Sequence, residues 1–183
     1  NDFDITDFDK TEKFILYIKP DVIIHCAAYT NVNRAEEEKD LCYKINVTGT
    51  KNIATVCKKI DSKIIYLSTD YVFDGNKNTP YDPEDKPNPL NFYGKTKLEG
   101  ENIIRDMLGK YFIVRISWVF GINGNNFVKN IIELSKNNKE LNIVSDQIGS
   151  PTYTVDLAKL LVNMINSEKY GTYHATNENF CSW

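Results

Sequence analysis

SKIIYLSTDYVFDG, residues Ser62 to Gly75, is the stretch whose reading decides the fold. Ile64 to Leu67 is a short apolar run bounded by polar residues. A run of that length reads as a buried strand of a parallel sheet. It ends in Ser68, Thr69 and Asp70, which places hydroxyls at the strand's carboxyl end. Ligands of open α/β sheets bind at that edge. Upstream, DVIIHCAAYTN (Asp21 to Asn31) holds a second strand, Val22 to Cys26, ending in Ala27, Ala28, Tyr29 and Thr30. Small residues there let a flat ligand approach the backbone.

Downstream, NPLNFYGKTKLEGEN (Asn88 to Asn102) carries Tyr93 and Lys97 in a Tyr-x-x-x-Lys spacing. On a helix, positions i and i+4 share a face. An ammonium beside a phenol favours the phenolate and lowers the tyrosine pKa from its ordinary ~10. Such a tyrosine can exchange a proton with a carbonyl or an alcohol. With 11 Tyr among 183 residues, this spacing arises by chance about once. Its setting between two strand ends gives it weight: a hydroxyl, a tyrosine and a lysine are the equipment for carbonyl reduction.

The remaining pattern alternates. Glu36 to Ile60 reads as one long helix, with Leu41, Ile45, Ile53, Val56 and Ile60 roughly at helical spacing. Asn76 to Asn91 is a proline-rich loop. Tyr93 to Met107 is a helix, Phe112 to Ile116 a strand and Asn126 to Ser135 a helix. Leu141 to Val144 is a short strand, Val155 to Asn166 a helix and Thr172 to His174 a last strand. The alternation predicts an α/β protein, a doubly wound parallel sheet with helices on both faces.

Apolar residues make up 42% and charged residues 26%, the usage of an ordinary globular chain with a real core. A net charge of −3 and scattered basic residues speak against nucleic-acid binding. No apolar run reaches the ~20 residues of a membrane span, and no secretory leader pattern is present. Cys26, Cys42, Cys57 and Cys181 lack metal-ligand spacing and read as reduced core cysteines of a cytoplasmic protein. His25 and His174 sit in strands, where a histidine is usually a satisfied packing residue, so no metal site is expected. Arg115 lies within a strand and needs a buried partner that the sequence does not name.

Thr69, Tyr93 and Lys97 resemble the catalytic triad of the extended short-chain dehydrogenase/reductase superfamily. The strings DFDITD, HCAAYTNVNRAEEE, INVTGT, LSTDYVFDG, NFYGKTKLEGE, VRISWVFG and SDQIGSPTYTVDLA are similar, nearly end to end, to the dTDP-4-dehydrorhamnose reductase family within it. The resemblance implies a Rossmann-like cofactor domain over 1–140 and part of a substrate-binding region over 141–183, interleaved with the last strands. It implies NADPH or NADH as cofactor and reduction of the C4 keto group of dTDP-4-dehydro-L-rhamnose to dTDP-L-rhamnose, a precursor of cell-surface polysaccharide.

Under it, Tyr93 is the general acid, Lys97 holds a ribose hydroxyl, and Thr69 hydrogen-bonds the substrate oxygen or the tyrosine. Asp4, Ile5, Ala28, Tyr29, Thr30 and Leu67 line the cofactor together with Tyr93 and Lys97. Thr69, Asp70 and Trp118 meet the dTDP-sugar. Asn46 hydrogen-bonds backbone near the site. Each has a plainer reading: Asp70 as a turn cap, Asn46 as a solvated helix face, Trp118 as core, Lys97 as a surface lysine.

A sugar-nucleotide epimerase or dehydratase remains open. Dehydratases often follow the active hydroxyl with an Asp-Glu pair, whereas Thr69 here is followed by Asp70 and Tyr71. A cofactor-binding regulatory subunit of the same fold, such as the one that partners methionine adenosyltransferase, also remains open, as do a homodimer and the choice between NADH and NADPH. A glycine-rich turn that seats pyrophosphate on a helix N-terminus is absent from these residues. The resemblance implies that a segment carrying it precedes Asn1, and that the family continues past Trp183.

Overall fold

In the computed structural model, which describes residues 3–183, the elements run α1 (Phe8–Ile18), β1 (Val22–His25), α2 (Lys39–Tyr43), α3 (Thr50–Ile60), β2 (Lys63–Thr69), α4 (Phe92–Met107), β3 (Tyr111–Ile116), β4 (Val119–Phe120), α5 (Phe127–Asn137), β5 (Ile148–Gly149), β6 (Thr152–Tyr153), α6 (Thr154–Ile165), β7 (Gly171–His174) and β8 (Cys181–Ser182). The central sheet has the order β1-β2-β3-β7. β1 and β2 pair in parallel with Ile24 opposite Ile65, and β3 and β7 likewise with Val114 opposite Tyr173. This is the expected Rossmann-like α/β sheet.

The chain forms two compact units. One runs to Arg115 and takes back Ser167–His174; the other comprises Ile116–Asn166 and Ala175–Trp183. They part after Arg115, where the sequence reading drew its line after residue 140. In the first unit, Ile64 and Tyr66 of β2 lie two apart and share a face. Onto it pack Ile15 of α1, Ile53, Val56 and Cys57 of α3, Ile104 of α4 and Ile113 of β3. Each fully buried branched side chain contributes about 1.5–3 kcal/mol. In the second unit β4 pairs with β6 and β5 with β8. There the SDQIGSPTYT string is held to Ser117 by an exchange of hydroxyls: Thr152 Oγ1 donates to the Ser117 carbonyl at 2.6 Å, and Ser117 Oγ to that of Ser150 at 2.6 Å.

Several expectations are corrected. The helix expected from Glu36 to Ile60 is broken into a 3-10 turn (Arg34–Glu36), α2, a π turn (Lys44–Gly49) and α3. The π turn accommodates Asn46, which is buried and not on a solvated face. Gly49 ends this turn against Ile5. A Cβ on it would stand 2.6 Å from Ile5 Cδ1, so any larger residue would push the Ile5 side chain aside. Leu141 to Val144 forms no strand; pairing in that region falls on Ile148–Gly149 instead, where β8 supplies the backbone partner.

The sequence reading did not reach α1 (Phe8–Ile18). Its Asp7 cap, accepting from Lys10 N, and its left-handed end at Lys19 (φ 48°) before Pro20 delimit it. Cys42 and Cys57 are core, but Cys26 and Cys181 are exposed. His174 is not a satisfied packing residue: its Nε2 is buried with no hydrogen-bond partner among the described residues. No described helix is long and apolar enough to cross a membrane.

Candidate active site

α4 begins under tight control. The Asn91 side chain accepts from Gly94 N at 2.7 Å, and Glu36 Oε1 accepts from Phe92 N at 2.6 Å. Both satisfy N–H groups that the first helical turn leaves unpaired. Gly94 is required because a Cβ there would lie 2.2 Å from the Tyr71 carbonyl oxygen. That close approach brings the turn after β2 against the first turn of α4, which carries Tyr93. The Tyr71 and Tyr93 rings meet edge to face at 5.7 Å.

Tyr93 is 8% exposed, and the side chain of Thr69, the last residue of β2, acts on its hydroxyl and lowers its pKa. Thr69 Oγ1 accepts from Tyr71 N at 3.2 Å and donates to Asp70 Oδ1 at 3.0 Å. One rotation of the threonine O–H moves its proton from Asp70 to the Tyr93 oxygen, so the same hydroxyl serves phenol or phenolate. Ser68, the neighbouring hydroxyl, turns away and donates to Glu101 Oε1 at 2.5 Å. Burial pushes Tyr93 up to about 12, with the Thr69 hydrogen bond opposing and the Asp70 charge adding. Burial also raises Asp70, against its hydrogen bond from Thr69.

Lys97 lies one turn on, 3% exposed. Its Nζ donates to the Leu67 carbonyl at 2.7 Å and stands 4.1 Å over the Tyr66 ring. The sequence reading had this ammonium lowering the tyrosine pKa. In the structure its Nζ faces the Leu67 carbonyl and the Tyr66 ring, and burial is the largest influence on Tyr93. Burial pushes Lys97 itself down to about 7, opposed first by Glu101. The arrangement at neutral pH is a protonated tyrosine at a strand end, one helical turn from a lysine near its own midpoint. That is a proton donor with a titratable neighbour.

Asn46 braces this arrangement from the π turn. Its Oδ1 accepts from Tyr29 N at 2.8 Å; its Nδ2 donates to Tyr29 O at 3.2 Å and to Thr96 Oγ1 at 3.0 Å. Thr96 in turn donates to the Tyr93 carbonyl at 2.8 Å. One amide thus ties the segment after β1 to the turn bearing Tyr93. π turns concentrate at such functional positions. His25 completes the support. Thr50 Oγ1 gives its proton to the Asn46 carbonyl at 2.6 Å, so His25 Nε2, at 3.0 Å from Thr50, is the donor of that pair. Burial first, then Lys97, holds His25 down at about 3.

The other expected residues are placed as follows. Ala28 and Tyr29 are half-buried and Thr30 is exposed just beyond β1; the Tyr29 hydroxyl donates to Glu38 Oε2 at 2.5 Å. Leu67 presents its carbonyl to Lys97. Asp4 closes a turn by accepting from Thr6 N at 2.9 Å, which lowers its pKa. Ile5 packs on Gly49, and its carbonyl accepts from Asn52 Nδ2 at 2.9 Å. Trp118 belongs to the second unit. It adopts a left-handed backbone (φ 47°) and stacks on Trp183 at 3.7 Å. An open groove of about 500 Å³ in that unit runs along α6 past Val155, Ala158 and Val162, and holds none of these residues.

The sequence reading missed Glu101, which is fully buried at the heart of the site and is the partner that Arg115 required. Its signal was the continuation of the i+4 ladder from Tyr93 through Lys97. Among the described residues no group of three or more His, Cys, Asp or Glu gathers as a metal set.

The RmlD substrate binding domain family model matches residues 1–183. This chain belongs to that family. It is 43% identical, over its whole length, to a dTDP-4-dehydrorhamnose reductase of Aggregatibacter actinomycetemcomitans, of which it spans 64%. It superposes with a TM-score of 0.96 and 46% identity on a crystal structure of dTDP-4-dehydrorhamnose reductase from Bacillus anthracis in complex with NADP, covering all of this chain and 65% of that one. The Bordetella bronchiseptica enzyme WbmH in complex with NAD+ has a TM-score of 0.86 at 19% identity, covers 98% of this chain and 60% of that one, and shares the fold alone. This RmlD-family chain therefore spans just under two thirds of the relatives it matches.

Proposed function

We propose that this chain carries the acid–base site of an NAD(P)H-dependent sugar-nucleotide ketoreductase, which reduces the C4 keto group of dTDP-4-dehydro-L-rhamnose to give dTDP-L-rhamnose. The carrying observation is that Thr69 at the end of β2, Tyr93 at the start of α4 and Lys97 one turn on are all buried, with the Tyr71 turn that follows Thr69 packed edge to face on the Tyr93 ring. The names of the Aggregatibacter and Bacillus relatives supply the substrate class.

The residues present fit a nicotinamide cofactor. Small, accessible Ala27 and half-buried Ala28 leave the backbone open at the end of β1. Lys97 commits one N–H to Leu67 and has others for ribose hydroxyls. Tyr29, Thr30 and Leu67 flank the same edge, and Asp4 and Ile5 are assigned to the adenine side. When bound, the cofactor supplies the hydride. Tyr93 holds the proton at its hydroxyl for the substrate's keto oxygen, and a phenol raised to about 12 keeps that proton until the oxygen becomes an alkoxide. Thr69 orients the keto oxygen and, by rotating its O–H, steadies the phenolate left behind. Asp70 and Trp118 are assigned to the sugar.

The cofactor domain over 1–140 and the substrate-binding region over 141–183 are part of the same proposal. So are a homodimer and a cytoplasmic location, the latter in keeping with four free cysteines. The test is NADPH oxidation by the full-length protein with the keto-sugar nucleotide as substrate and the product identified by mass and NMR. Turnover that yields an epimer or a dehydrated sugar, or none at all, overturns the reading. Light scattering checks the dimer.

A further inference from the structure

We propose that Glu101 is a positioning residue for the acid–base pair, acting by tying the end of β2 to α4 and by balancing the buried Lys97 ammonium. The inference rests on the function proposed above. Glu101 is 0% exposed, and every contact of its carboxylate is with the framework of the site. Oε1 accepts from Ser68 Oγ at 2.5 Å and from Arg115 Nε at 2.9 Å; Oε2 accepts from Arg115 Nη2 at 2.7 Å and, more weakly, from Arg105 Nη2 at 3.4 Å. Charge-assisted bonds of this kind are short and directional.

Ser68 immediately precedes Thr69, so the grip on Ser68 sets where the Thr69 hydroxyl stands relative to Tyr93. Arg115 extends the grip to β3 and onward to the proline-rich loop. There its Nη1 donates to the Pro83 carbonyl at 3.2 Å and its guanidinium lies 5.0 Å from the Phe73 ring. Tyr93, Lys97 and Glu101 follow one another at i+4, so a single helix face presents donor, ammonium and carboxylate in order.

Charge makes the same point. Lys97 is faced by His25 at the end of β1 and Cys26 just beyond it, Cys42 from α2, the Tyr66 ring from β2 and Glu101 from its own helix. Of these only Glu101 is a carboxylate. Without it, Lys97 and Arg115 would be two buried cations with no buried anion among these groups, an arrangement that proteins avoid.

The experiment uses the full-length protein with lysine labelled at Cε. NMR follows the Lys97 titration, the signal being assigned with Lys97→Met, beside steady-state kinetics with NADPH and the keto-sugar nucleotide. In Glu101→Gln the Lys97 midpoint is expected to fall by about half a pH unit or more. The turnover limb that follows loss of the lysine charge should move down by the same amount. kcat is expected to drop about tenfold or more while KM for the sugar nucleotide stays within about threefold. Glu101→Asp, which keeps the charge on a shorter arm, should restore the midpoint and only part of kcat.

If Glu101→Gln does not fold, Glu101→Gln with Arg115→Gln removes both charges together; the Lys97 midpoint is then expected to move less, because the repulsion of Arg115 goes with the attraction of Glu101, while kcat still drops about tenfold or more. An unchanged Lys97 midpoint in Glu101→Gln, or an unchanged kcat in the double variant where only that folds, overturns the proposal and leaves Glu101 a mere scaffold. A wild-type protein without ketoreductase turnover overturns the proposed function instead, and the titration still judges Glu101.

Discussion

Tyr93→Phe removes one oxygen and keeps the ring that packs edge to face on Tyr71. If the phenol is the proton donor, turnover of the full-length enzyme should fall by ~10²–10⁴ while cofactor affinity barely changes. A variant within a few-fold of wild type would reassign the donor. Lys97→Met has two consequences. Activity should fall, since a ribose-holding ammonium is lost. Stability at pH 7 should rise, because burial disfavours the charged lysine and holds its pKa near 7. Chemical denaturation beside the rate assay reads both, and a destabilised Met variant would mean that the ammonium's bonds to Leu67 and Tyr66 outweigh its desolvation.

At this scale the sequence reading reached Thr69, Tyr93 and Lys97, because each lies on a strand end or a helix face with a recognisable period. It did not reach the direction in which Lys97 points or the role of Glu101. Those depend on which carbonyl and which arginine fold beside them, and a one-dimensional spacing does not contain that.

The segments around the site show a similar division. β1, β2, α4 and β3 were legible because a parallel sheet demands short apolar runs, and α4 has a marked start at Asn91. The π turn was not legible, because Leu41, Ile45, Ile53 and Val56 satisfy an ordinary helical period straight through it. What breaks the period is the burial of Asn46, a tertiary event. Leu141 to Val144 was misread for the reverse reason: a short apolar run looks like a strand whether or not a partner is in place. Asn46→Ala should therefore cost more than a surface Asn. It leaves the Tyr29 N–H and the Thr96 hydroxyl short of a partner, for about 1–3 kcal/mol each if they stay dry. It should also lower kcat by freeing the turn that holds Tyr93. Amide exchange at Tyr29 measured with and without the substitution would register the loss, and unaltered protection there would show that the brace is dispensable.

Over the whole molecule, pH acts through His25. Folded, its pKa is about 3; unfolded, it is near 6.5. The unfolded chain therefore takes up the proton first, so this histidine's contribution is complete above pH 6.5 and drains away as pH falls toward 3. Between pH 7.5 and 5 the wild type should lose on the order of 2 kcal/mol that a His25→Gln variant does not. Equal slopes for the two proteins in denaturant titrations would show that His25 is protonated without unfolding.

The π turn at Lys44–Gly49 also has a meaning in the history of the chain. A turn one residue too wide is what an insertion into an α-helix leaves behind. Deleting one residue there would let the helix close into a regular one and turn everything on one side of it by about 100° against the other. The shortened chain should keep a helix, by circular dichroism, while the Asn46 amide leaves Tyr29 and Thr96.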